Sequence, residues 1–168
     1  MLVSLVNVTI ASRVACSALR LAEGERRHAS CPHIRAFEID GARADAQRLV
    51  DATGLRVATV LPGRTLCTIG SVDYRDNDLG QYHEVAITFF VRERGARALP
   101  FAGTMLGLVR GSLATYIHHL PVDGAFTCEA GQAIWGFPKF MSEIAITEAA
   151  GEQRTVLTAG GQHVLTQT

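Results

Sequence analysis

The segment Tyr82–Arg92, YHEVAITFFVR, limits the fold of this chain more than any other stretch. It is rich in β-branched and aromatic side chains, which suit a pleated, half-buried surface and lose rotamer freedom in a helix. Read as a strand, its alternation places Glu84, Ala86 and Thr88 on one face and Val85, Ile87 and Phe89 on the other. Residues 34–39, 64–72 and 114–120 have the same character, Asp40-Gly41 breaking the first and Pro121 closing the last. Short strand-like runs at 141–147, 154–158 and 162–166 finish the chain. Helical patterns are few: ARADAQRLVDAT, closed by Gly54 as a C-cap, and residues 123–135. A third, within Ala98–Leu113, carries Gly103, Gly107 and Gly111 at spacing four and reads as a short helix packed closely on a sheet. Many short strands with a few helices predict an α+β or mainly antiparallel β domain. Residues 64–72, 82–92 and 114–120 are expected in one sheet, with 42–53 a helix outside it.

The chain has 168 residues, one domain's worth and enough for a core. Residues 34–168 form that domain. Residues 1–33 read as an N-terminal extension of unclear role, with a first strand at 3–10 and a helix fragment or loop over 11–33. Sixteen basic residues balance sixteen acidic ones, so no broad field points to nucleic acid or an anionic membrane. No apolar run reaches the length of a membrane helix. Residues 1–11 are apolar, but Ser4, Asn7 and Thr9 interrupt them and no basic residue precedes Arg13, which argues against a signal peptide. Cys16, Cys31, Cys67 and Cys128 show no metal or redox spacing and read as reduced thiols, hence a cytoplasmic location.

Several chemical motifs resolve to structural readings. Asp73, Asp76 and Asp78 suggest a calcium loop, yet the twelfth position counted from Asp76 is Ile87, where a bidentate Glu is required. That leaves a solvated acidic turn. His118 and His119 are neighbours, so on a regular strand they face opposite sides and cannot share a metal. Cys128, without a partner residue, reads as a buried structural thiol. No metal site is expected.

One stretch is different. Of the sixteen basic residues, fifteen are Arg, and the single lysine, Lys139, stands in E129-A-G-Q-A-I-W-G-F-P-K139 with Trp135, Phe137, Phe140 and Met141 close by in sequence. Desolvation penalises an ammonium group, and a neutral amine in an apolar pocket attacks carbonyl carbon to form a Schiff base. The alternative is a snorkelling lysine whose stem packs on aromatics while its head stays wet.

The segment A130-G-Q-A-I-W-G-F-P-K139, with Y116-I-H-H-L-P-V122 before it and Y82-H-E84 after the loop S71-V-D-Y-R-D-N-D-L-G80, resembles the acetoacetate decarboxylase-like family. The likeness runs from about Ile34 to Ile146 and is strongest over 64–140. It implies a cone-shaped, largely antiparallel β-barrel with an apolar chamber. In it Lys139 would stand at the Schiff-base lysine's position and Glu84 at that of an acidic active-site residue. Trp135, Phe137 and Met141 would line the substrate pocket. The implied reaction is decarboxylation, or related aldol and dehydration chemistry, on a small keto acid or ketone, with no cofactor, in a homo-oligomer. Three departures stand against this. Phe140 replaces the family's second lysine; no arginine securely matches its carboxylate-binding one, Arg35 being out of register; and the chain stops at Thr168, before the family's usual C-terminal strands. A non-catalytic binding module, in which Lys139 merely pairs with Glu84, and an inert fragment or assembly subunit therefore remain open.

Overall fold

The computed structural model describes residues 9–13, 33–39, 43–75, 79–95, 101–110, 112–149 and 152–168. Eleven strands among them form two sheets. The larger follows the order β1 (Thr9–Arg13), β2 (His33–Ile39), β5 (Arg64–Tyr74), β6 (Tyr82–Glu93), β7 (Ala114–Val122) and β8 (Lys139–Met141). Two short strands, β3 (Leu55–Val57) and β4 (Thr59–Leu61), pair with β6 and β5. All pairings are antiparallel except β7 with β8. The smaller sheet is an antiparallel meander of β9 (Glu143–Ala149), β10 (Glu152–Ala159) and β11 (Gln162–Gln167). The predicted strands at 64–72, 82–92 and 114–120 are thus neighbours in one sheet. Among the described residues neither sheet closes on itself, so a sheet-dominated α+β fold stands and a closed cone does not. Residues 1–8 and 14–32 lie outside the described residues, and with them most of the proposed N-terminal elements.

Strand β6 organises the molecule because its two faces do different work. From its odd-numbered face, Phe89 and Val91 join Cys67 and Val57 in a core under α1 (Arg43–Val50), whose Ala46 and Val50 are buried. Further along the same face, Val85 packs with Ile144 and Leu157 of the smaller sheet. There the buried Thr155 hydroxyl donates to Ser71 Oγ at 2.9 Å, so the inter-sheet contact is not purely apolar. The even-numbered face carries Tyr82, Glu84, Thr88 and Arg92; Arg92 donates to Thr104 of α2 (Phe101–Val109), and Tyr82 lies beside Gly124 at the start of α3 (Ala125–Trp135).

Two local expectations need correction. Pro121 does not end β7: it lacks only an N–H, and its neighbours keep the edge ladder, Leu120 N–H donating to Pro138 O and Val122 O accepting from Ser142 N–H. His118 and His119 do not face opposite sides. Ile87 pairs with His119 and Thr88 with Ile117, which leaves His118 as the extra residue of a β-bulge. The two rings lie 4.1 Å apart between centroids. Burial holds both imidazoles below their usual pKa, and His119 lowers His118 further. No group of three or more metal-ligating side chains occurs among the described residues. Asp76 and Asp78 lie outside those residues, while Asp73 is paired with Arg75.

Burial pushes the Cys67 thiol up from 9.0 to about 12. Its acid form is therefore favoured in the folded state, and the stability this contributes is intact below pH 9 and lost as pH rises from about 9 towards 12. Each unit in that window should remove up to about 1.4 kcal/mol. Urea unfolding of wild type against Cys67→Ala between pH 8 and 10.5 checks this. The slope difference between the two proteins should appear only above pH 9.

Candidate functional site

Lys139 is brought inward by the way α3 ends. Gly136 takes the left-handed conformation (φ 64°) that glycine adopts without penalty, and its N–H donates to Gln132 O. Phe137 N–H then donates to Gly131 O, so the chain folds back along the helix it has just left. Gln132 Nε2 donates to Lys139 O at 2.6 Å and ties the start of β8 to α3. Lys139 thereby enters the larger sheet beside Leu120.

The lysine stem passes directly over Gly131. A Cβ at that glycine would stand 2.5 Å from Lys139 Cδ and 2.8 Å from Cε, closer than real Cβ atoms approach. At the tip, Nζ lies 2.7 Å from Glu84 Oε2 and 5.7 Å from the centroid of the Tyr82 ring. Tyr82 and Glu84 are two apart on β6, so one strand face supplies both. The tyrosine ring is held by stacking on Tyr74, directly opposite on β5, at 4.4 Å. The lysine and glutamate side chains are only 8% and 13% exposed. The snorkelling alternative, with a wet amine, does not describe this lysine.

Behind the site, His83 anchors the loop that starts α3. Its Nδ1 is 2.6 Å from Asp123 Oδ2, and its backbone N–H donates to Asp123 Oδ1. Phe140 is edge-on to His119 at 5.7 Å, while Lys139 is turned in to Glu84. The strand alternation that separates Lys139 from its neighbour is therefore present, and no second ammonium faces the first.

Trp135, Phe137 and Met141, the apolar residues nearest the lysine in sequence, are 60%, 38% and 51% exposed. Trp135 ends its helix, Phe137 lies in the reversal that follows, and Met141 sits at the end of a three-residue edge strand with no described strand beyond it. The groups against the lysine are Gly131 and Tyr82, which sequence proximity to Lys139 did not single out. For Tyr82 a signal existed, since period two from Glu84 reaches it; for Gly131 none did.

A sequence model described as acetoacetate decarboxylase (ADC) matches residues 36–168. The chain belongs to that family. No curated protein matches it. Among solved structures it is similar to the acetoacetate decarboxylase of Legionella pneumophila subsp. pneumophila str. Philadelphia 1, with a TM-score of 0.57 and 16% identity over 79% of this chain. The chain spans 44% of that protein's length. At this identity the likeness establishes the fold alone.

Proposed function

We propose that this protein forms a Schiff base between Lys139 and a small ketone or keto acid. The observation that carries the reading is the enclosed contact of Lys139 Nζ with Glu84 Oε2 at 2.7 Å. Glu84 is in position to take a proton from the ammonium group, leaving an amine whose lone pair attacks the carbonyl carbon. The carbinolamine loses its hydroxyl as water, for which Glu84, now protonated, is the acid. The iminium that results draws electrons from the adjacent carbon. With a β-keto acid substrate, carbon dioxide leaves and the enamine is reprotonated on carbon; with other ketones, the same electron sink supports aldol or dehydration steps. Family membership supports the decarboxylase form.

A second reading is favoured by the same distance. A Lys139 held in its pair with Glu84 would make the protein a binding module for small carbonyl or carboxylate ligands. Borohydride reduction in the presence of acetoacetate or pyruvate, followed by intact mass and peptide mapping, separates the two. The enzyme reading expects a secondary-amine adduct on Lys139, absent in Lys139→Ala. Failure to trap any adduct between pH 6 and 9.5 would reject it and leave the binding module.

A further inference from the structure

Towards the far end of β6, eight residues beyond Glu84 and so about 26 Å away at 3.3 Å per residue, Arg92 and residues of α2 line a cleft of about 480 Å³. That volume falls within the range of small-molecule sites. Leu106 and Leu113 give it apolar walls, and Gly103 and Gly107, one helical turn apart, present no side chain to it. Two guanidinium groups, Arg92 and Arg110, line the same cleft, and among the described residues no Asp or Glu does. Arg92 is steadied by a 3.1 Å hydrogen bond to the buried Thr104 hydroxyl of α2. Among the described residues neither arginine is in an ion pair.

We infer that this cleft between α2 and β6 is a second ligand site, separate from Lys139, which takes an amphiphilic carboxylate: an acyl or aryl acid with a hydrocarbon body. A guanidinium offers a planar fork of donors that matches a carboxylate in two parallel hydrogen bonds. Inorganic phosphate would satisfy the arginines but leave the walls of Leu106 and Leu113 in water. A neutral alcohol would cover the walls but leave two cations without a counter-charge. Only a ligand with both parts answers both features.

Calorimetric titration with octanoate, octan-1-ol and inorganic phosphate tests this without any ketone present, so the result does not depend on Lys139 chemistry. Saturable one-to-one binding of octanoate is expected, at least about tenfold tighter than octan-1-ol or phosphate. Arg110→Gln should weaken it about tenfold, the effect of losing one charge-assisted hydrogen-bonding partner, with Arg110→Lys intermediate. Leu106→Trp, at a half-exposed wall position, should block it by filling the cleft while the fold persists by circular dichroism. Equal binding of octan-1-ol, equal binding of phosphate, no saturable binding, or octanoate affinity unchanged in both Arg110→Gln and Leu106→Trp would each overturn the assignment.

Discussion

Replacing Lys139 with alanine should lower stability by about 3–5 kcal/mol, because it strands the Glu84 carboxylate in a place where water hardly reaches it. A domain of this kind has about 5–15 kcal/mol in total, and at about 2–4 °C per kcal/mol for a chain of this size the midpoint of thermal unfolding should fall by about 6–20 °C. Two separate losses are combined in that number. Lys139→Met keeps most of the stem over Gly131 and removes only the charge, and it should retain the larger part of the destabilisation. Pairing it with Glu84→Met removes both charges, and apolar replacement of a buried pair is often neutral or better. The double variant should therefore recover most of the loss. Urea unfolding of the four proteins forms the cycle, and simple additivity of the two single losses would show that the pair is not energetically coupled.

Gly131→Ala should strike the site harder than the fold. The new methyl collides with Cδ and Cε of Lys139, in mid-stem, while the far end of the side chain is held by Glu84. The stem cannot swing aside without breaking that contact. In the helix itself, alanine is favoured over glycine by about 1 kcal/mol, which offsets part of an overpacking penalty of about 1–3 kcal/mol. Net stability should thus change little. Amine placement should not survive: a displacement on the order of 1 Å at a reacting group costs roughly a hundredfold in rate. The rate of borohydride trapping with acetoacetate, measured beside the unfolding curve, reads both effects at once. An unchanged trapping rate would mean that the lysine acts from some other rotamer.

Much of this was legible in the residues. Alternation along Tyr82–Val91 set the two faces of β6, and with them the sharing of a face by Tyr82, Glu84 and Arg92. The glycine that closes the first helical pattern, Gly54, is a helix stop in the structure, with φ of 73°. The lone lysine after Pro138, together with the ordered motifs at 82–84 and 116–122, pointed to the family that the comparison supports. Those are local or ordered patterns, and chain chemistry alone carries them. The bulge at His118 was not legible, because a single inserted residue reverses the facing of a strand without any change in composition. Nor were the neighbours of the lysine. Trp135, Phe137 and Met141 are close to it along the chain, yet their side chains stay 60%, 38% and 51% exposed, and the left-handed Gly136 turns the backbone between Trp135 and the lysine. What packs on Lys139 comes instead from one turn of α3 before that reversal and from a strand over fifty residues upstream. Sequence determined which residues could do chemistry, since amine, carboxylate and strand period are written in it. Which atoms meet was decided by tertiary structure, because the 2.7 Å between Lys139 and Glu84 depends on how a helix, its reversal and two strands pack together.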